Sequence, residues 1–535
     1  MRRTITAAVA VALLGGAALS APAVAADTAR RGDTFSVDPS ASPSDVSPRT
    51  TFSFDPGLTT GSGLTEVPEL TPAGALSTAL RVVKGNARAG DPSATLALRD
   101  LFMKRDSLTG AQRRRADALL ARPTDGSSGD PGGPYTVPEA QPVCNARLCI
   151  HYVPNGPDAP PSVEWVNQTL AVMDQVWTQE VDSLGYRAPL TDGARGGGPQ
   201  FDVYLKNLGS QGIYGYCAPE TRVAKRTASA YCALDNDFST AEFPSATPAA
   251  NQLVTAAHEF FHAIQYAYDY AEDVWMMEST ATWMEERIAT DVNDNRQYLA
   301  TSPLLVPTAP LDYFSQSATF QYGTWIWWEY LSTTYGNKIV RKAWQEAGSL
   351  KKDGGKNSIQ TLQKILRKKG GFTKNFARFA AGNLTPAANF PEGAEYAYPR
   401  FAGKVLTKKK RSKRFSTKIF HLASTSYGYV PKKLNGKKWK LAVSVNGPAR
   451  RTSPAAVVVV HLANGKRQVK QVRLNHNGDG RKKVSFNSKK VVMVTVTLVN
   501  ASTRYRCNKG TTLSCRGIPL DDKMRFSVTG RVTKH

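Results

Sequence analysis

Apolar positions in residues 247–268 recur at the spacing of a buried helix. Leu253, Val254, Ala257, Phe260, Phe261 and Ile264 fall on its inward side, and Thr247 and Pro248 supply a capping side chain and a first-position proline. A second helix is expected over residues 274–286, with Trp275, Ala281, Trp283, Met284 and Ile288 as its apolar side, and a third from Gln321 through Trp328. Helices dominate to about Ala381, including one over residues 359–368. Before them, residues 201–205 and 230–235 read as strands. Further on, residues 455–462 and 491–499 are β-branched runs, and Asn435-Gly436, Asn464-Gly465 and Asn477-Gly478 supply turns. One helix is expected over residues 92–120, with Leu96, Leu98, Leu101, Phe102 and Leu119 apolar. No internal repeat is visible.

Strands followed by helices describe an α+β domain over residues 135–403, and the later strands describe a small all-β, sandwich-like domain over 404–535. Residues 1–26 carry Arg2 and Arg3, an apolar run broken by Gly15 and Gly16, and Ala23-Val24-Ala25, which together read as a secretory signal peptide. Residues 27–134 form a propeptide or an N-terminal spacer, ending in a Gly-, Ser-, Asp- and Pro-rich linker at 124–134. No later run is long enough to be a transmembrane segment. Secretion to the extracellular space is the expectation.

Six cysteines fall as three local pairs, and disulfides Cys144–Cys149, Cys217–Cys232 and Cys507–Cys515 are expected in an oxidising compartment. Of the formal net charge of +26, the last quarter carries more than all: from Lys404 onward 32 basic residues face only Asp479, Asp521 and Asp522. That surface suits an anionic cell-envelope polymer, anionic lipid headgroups or nucleic acid bound through charge alone. Its few aromatic residues form no stacking platform, so specific nucleic-acid recognition is not expected. A plain solubilising face fits the same composition.

The chemistry lies on the first central helix. His258 and His262 are four residues apart, so both imidazoles leave one face and can grip one metal ion, while Glu259 is directed past it and can act as a base. Zinc needs a third protein ligand. His151, His421, His461, His476 and His535 are the other histidines, and four of them lie in the basic β domain. Gln265 and Tyr268 occupy the positions where a longer three-histidine motif would have Gly and His. A carboxylate is favoured, and Glu278 on the second helix would face the metal once the intervening turn reverses the chain. Asp235, Asp237, Asp291 and Asp294 lack the spacing of a calcium loop and are read as surface and turn residues.

His258-Glu259-Phe260-Phe261-His262, followed by Trp275-Met276-Met277-Glu278-Ser279-Thr280-Ala281, resembles the gluzincin zinc peptidases, the clan of thermolysin and the zinc aminopeptidases. The resemblance covers about residues 225–345. It implies Zn2+ as cofactor, His258, His262 and Glu278 as metal ligands, and Glu259 as general base. Glu285, seven residues beyond Glu278 on the same face, is the rival ligand or an outer partner. Met277 stands where the clan usually has Asn, and the Gly-x-Met-Glu-Asn signature of aminopeptidases is not found, which favours an endopeptidase acting on polypeptide substrates. Tyr322, at a Tyr-Gly opening an apolar helix, resembles the tyrosine that clan members place near the metal; packing is its other reading. The expected function is thus a secreted zinc-dependent peptidase. The rival expectations are a secreted anionic-surface-binding protein with an inert histidine helix, or a zinc hydrolase of a non-peptide bond.

Overall fold

The computed structural model describes residues 34–37, 70–88, 92–127, 133–314, 319–348 and 356–534. The expected signal peptide lies outside these residues, as does part of the 124–134 linker. A short strand, β1 (Thr34–Phe35), precedes three helices, α1 (Pro72–Val83), α2 (Ala94–Lys104) and α3 (Gly110–Leu120). The one helix expected over residues 92–120 is therefore two. After a 3-10 turn at Arg105–Ser107, Leu108 and Thr109 take extended backbone angles, and Leu108 buries its side chain at the corner. α1 was not expected, although Thr71 caps it and Pro72 starts it.

Five strands, β2 (Val143–Cys144), β3 (Leu148–His151), β4 (Phe201–Lys206), β5 (Gly215–Ala224) and β6 (Thr227–Asp235), form a mixed sheet in the order β2-β3-β4-β6-β5. β3, β4 and β6 are parallel, and the helix α4 (Val163–Trp177) makes the crossover from β3 to β4. Every residue of β6 is buried, which is why it reads as a continuous run rather than an alternating one. β5 runs antiparallel to β6 at the sheet edge.

Next come α5 (Pro248–Asp269) and α6 (Val274–Ile288), which pack against each other. The Thr247 side chain accepts from the Ala250 N–H, as the capping reading requires. Phe260 of α5 meets Trp177 and Phe201 at ring-centroid distances of 5.4 and 5.3 Å, pinning the helix to the sheet. Helices α7 (Phe320–Gly323), α8 (Trp325–Tyr335), α9 (Lys338–Ala347), α10 (Ser358–Leu366) and α11 (Phe372–Gly382) complete this region. The architecture is mixed α and β. All three expected disulfides are present.

The basic region holds β7 (Phe401–Leu406), β8 (Ser412–Ile419), β9 (Ala423–Pro431), β10 (Trp439–Asn446), β11 (Pro454–Leu462), β12 (Arg467–Gln471), β13 (Asp479–Ser485), β14 (Val491–Asn500), β15 (Tyr505–Arg506), β16 (Ile518–Pro519) and β17 (Met524–Lys534). A six-stranded sheet, β1-β7-β9-β14-β11-β12, faces a four-stranded one, β13-β10-β17-β8. In β11, Ala456, Val458 and Val460 enter the core between the sheets, while Ala455, Val457 and Val459 pack with the helical region. With both faces covered, β11 is apolar throughout. β10 has one wet face, so Leu441, Val443 and Val445 point inward and alternate with Lys440, Ser444 and Asn446. On that wet face an in-register row runs Arg481, Ser444, Thr529, Arg414 across four strands, part of an open groove of about 960 Å³ that Arg450 and Arg473 also line. Among the described residues, no helix is long and apolar enough to cross a membrane.

Candidate metal centre

α5 and α6 bring His258, His262 and Glu278 together. Glu278 Oε2 lies 3.2 Å from His258 Nε2 and 3.6 Å from His262 Nε2. Atoms bound to one zinc at about 2.0–2.1 Å in a tetrahedron lie roughly 3.3 Å apart, so this spacing matches a shared ion. Each imidazole is oriented through its other nitrogen. His258 Nδ1 is 2.6 Å from Glu285 Oε1, and His262 Nδ1 is 2.8 Å from Gln265 Oε1. The Gln265 amide in turn donates to the Met277 carbonyl at 2.9 Å and to Thr280 Oγ1 at 3.2 Å, tying α5 to α6 beside the site. Both Nε2 atoms are left to converge on one carboxylate oxygen. His262 is wholly buried and its Nε2 has no hydrogen-bond partner. A buried polar atom with no partner is costly, and a metal ion at this point would satisfy it. The residues present fit zinc.

The electrostatics follow from burial among carboxylates. Burial alone would lower the pKa of His258, but hydrogen bonds to Glu278 and Glu285 hold it well above the ordinary imidazole value. Burial alone would raise Glu278, yet its contacts with His258 and His262 keep it below the usual carboxylate range. Burial dominates at Glu285, which is pushed up to about 7 despite its bond to His258. Glu285 thus stands behind His258, on the nitrogen facing away from Glu278.

Glu259 also approaches the pair: one donor atom from each of His258, Glu259 and His262 lies within 4.8 Å of the others. Its carboxylate accepts a hydrogen bond from Thr95 Oγ1 at 2.7 Å. Tyr322 places its ring 6.1 Å from that of His258 and stacks on Tyr298 at 5.1 Å. Burial, with Glu278 nearby, raises its pKa well above that of a free phenol, so it stays a hydrogen-bond donor. His258, Glu259, Tyr298 and Tyr322 line a cleft of about 370 Å³ together with Gly215, the first residue of the edge strand β5, and Tyr214 just before it.

Other sequence candidates have local duties. Both His151 nitrogens are occupied, by Glu139 and by Asp202. Asp235, expected at the surface, is buried and accepts the backbone N–H groups of Leu208, Gly209 and Phe238, while Asp237 accepts that of Ser239. Asp294 lines the cleft. Gln265, Thr95 and Ser93 are the residues that sequence reasoning missed. Only Gln265, one helical turn beyond His262, left a local signal.

Residues 213–442 match a family of unknown function, DUF6055. The matched stretch includes the sheet edge β5, both helices of the candidate site, α5 and α6, and the first strands of the basic region. No curated protein matches the chain. Among solved structures, similarity extends to the periplasmic g-type lysozyme inhibitor PliG of Aeromonas hydrophila, at 11% identity over 25% of this chain and 100% of that one, with a TM-score of 0.15. The pre-peptidase C-terminal domain of a Bacillus anthracis collagenase matches at 7% identity over 25% and 96%, also with a TM-score of 0.15. CorA, a surface-associated copper-binding protein of Methylomicrobium album BG8, gives 11%, 25%, 98% and 0.15 in the same order. Similarity this weak carries no argument about this chain.

Proposed function

We propose that this chain is a secreted zinc-dependent endopeptidase with a gluzincin-type site. The observation that carries the reading is the convergence of two oriented imidazole Nε2 atoms, one of them buried without a partner, on a single Glu278 oxygen. His258, His262 and Glu278 would hold the ion. Bound there, zinc would supply a Lewis acid that makes water a better nucleophile near neutral pH and polarises a carbonyl. The Glu259 carboxylate takes the proton from the attacking water and delivers it to the departing amine. The Tyr322 phenol donates a hydrogen bond to the oxyanion of the tetrahedral intermediate. β5, a sheet edge beside the cleft, can receive an extended polypeptide by backbone pairing.

The basic sandwich serves as an anchor to an anionic cell-envelope polymer through the arginine groove. Its binding to inorganic polyphosphate should weaken steeply with added salt and fall in Arg414→Glu/Arg481→Glu. Undiminished binding by that variant would remove the groove from the reading.

The enzymatic reading is tested with zinc analysis and digestion of a denatured protein mixture. Wild type should carry one zinc per chain and, once cut within residues 124–134, release peptides. Glu259→Gln should keep its zinc and lose roughly two to four orders of magnitude of rate, as expected for a missing general base. Zinc without proteolysis in every activated form would leave a hydrolase of another bond; a chain that takes up no zinc would leave a binding protein.

A further inference from the structure

The N-terminal helices cover the site just described. Ser93, the N-cap of α2, donates from Oγ to Glu278 Oε1 at 2.8 Å and also interacts with Tyr322. Two residues on, Thr95 Oγ1 donates to Glu259 Oε2 at 2.7 Å and accepts the Cys217 N–H of β5 at 3.0 Å. Val82, Ala87, Pro92, Ser93 and Ala94 form one wall of the cleft. Thr95 takes two groups that peptide hydrolysis needs free: its hydroxyl engages the base, and it already satisfies an edge-strand N–H available to an extended substrate. Ser93 engages the Tyr322 phenol and holds the outer oxygen of Glu278, whose Oε2 faces the histidines.

The segment is firmly seated. Leu96, Leu98, Leu101 and Phe102 of α2 are buried in the common core, and α2 packs on β5. Its connection to the rest of the chain, residues 124–134, is rich in Gly, Ser, Asp and Pro.

From these contacts we infer that residues 70–88 and 92–104 form an autoinhibitory strap, with Ser93 and Thr95 as the blocking hydroxyls, that must be displaced before a polypeptide reaches the cleft. The inference rests on the zinc-site reading above. Displacement follows a cut within residues 124–134, in which one water hydrolyses one peptide bond to a carboxylate and an amine. Ser93 and Thr95 are not catalytic residues: they hold Glu278 and Glu259 in a resting arrangement.

The test uses the full chain loaded with zinc, the Ser93→Ala/Thr95→Val variant, and a chain whose linker carries the recognition sequence of a specific protease, before and after cutting. Two readouts are taken: the rate at which a chelator extracts zinc, and the rate of hydrolysis of a quenched fluorescent peptide. Loss of a buried hydrogen bond to a carboxylate should speed zinc extraction about tenfold or more, with hydrolysis rising alongside, in both the variant and the cut chain. Extraction unchanged in the cut chain, with hydrolysis unchanged or reduced in both forms, overturns the strap and makes Ser93 and Thr95 permanent supports of the site, whatever the extraction rate of the substituted variant. Faster extraction from the cut chain without hydrolysis keeps the strap and overturns the peptidase. A chain that takes up no zinc overturns the metal reading and the strap with it.

Discussion

Gln265 lies one helical turn beyond His262, and its side chain decides which imidazole nitrogen faces the site. Its Oε1 takes Nδ1, and its amide is spent on Met277 and Thr280. Replacing it by Leu leaves His262 without an orienting partner. Zinc affinity, measured by competition with a chromophoric chelator, should fall about 10–100-fold. An unchanged affinity would mean that packing alone positions the ring. At this scale the histidine pair and its glutamate were legible, because a spacing of four residues on a helix fixes which side chains share a face. Glu285 could be read only as ligand or outer partner, and the choice depended on which His258 nitrogen it meets. Ser93 and Thr95 were invisible: they touch residues more than 160 positions away, and no local pattern encodes such a contact.

The elements themselves follow recognisable cues, with exceptions that have physical causes. Thr71-Pro72 opens α1 with the same cap and first-position proline as Thr247-Pro248 at α5, and its buried Ala75, Leu76, Ala79 and Val82 recur at helical spacing, so α1 carried a local signal of the same kind as α5. The break between α2 and α3 arises because Leu108 turns inward to the core, a tertiary demand that helix propensity does not register. Just after α3, Arg122 is wholly buried and links the N-terminal helices to the sheet. It makes a bidentate pair with Glu220 at 2.6 and 2.8 Å, bonds Asp202 at 2.6 Å, and contacts Asp192. Arg122→Leu would strand several buried carboxylates and should cost about 3–5 kcal/mol. A thermal unfolding scan should show a clear fall in midpoint. A midpoint equal to that of wild type would show that the cluster relaxes by taking up protons or water.

Across the whole molecule, the basic sandwich is joined to the helix that carries Glu278. Trp275 Nε1 donates to Ser514 Oγ at 3.0 Å, and the Cys515 N–H donates to Asp273 Oδ1 at 2.7 Å, just before α6. Nearby, His421 lies between Asp312, at 3.0 Å, and Asp522, at 3.3 Å. Burial alone would lower the His421 pKa, but the two carboxylates push it up to about 9. A histidine whose folded pKa is raised stabilises the fold fully below its unfolded pKa near 6.5, and that contribution is lost as pH rises through about 9. The difference in melting temperature between wild type and His421→Gln should therefore be largest at pH 6 and shrink toward pH 10. A constant difference would assign the effect to packing alone. The charge boundary near residue 404 was plain in the sequence, whereas this junction was not, since its partners are 109 and 101 residues apart. The central claim is one zinc ion held by two imidazoles and a carboxylate, and zinc X-ray absorption spectroscopy of the purified full chain tests it most directly. The account predicts two imidazole nitrogens and carboxylate oxygen at about 2.0–2.2 Å, with the carboxylate contribution lost in Glu278→Ala; a zinc environment of other ligands, unaltered in that variant, would contradict it.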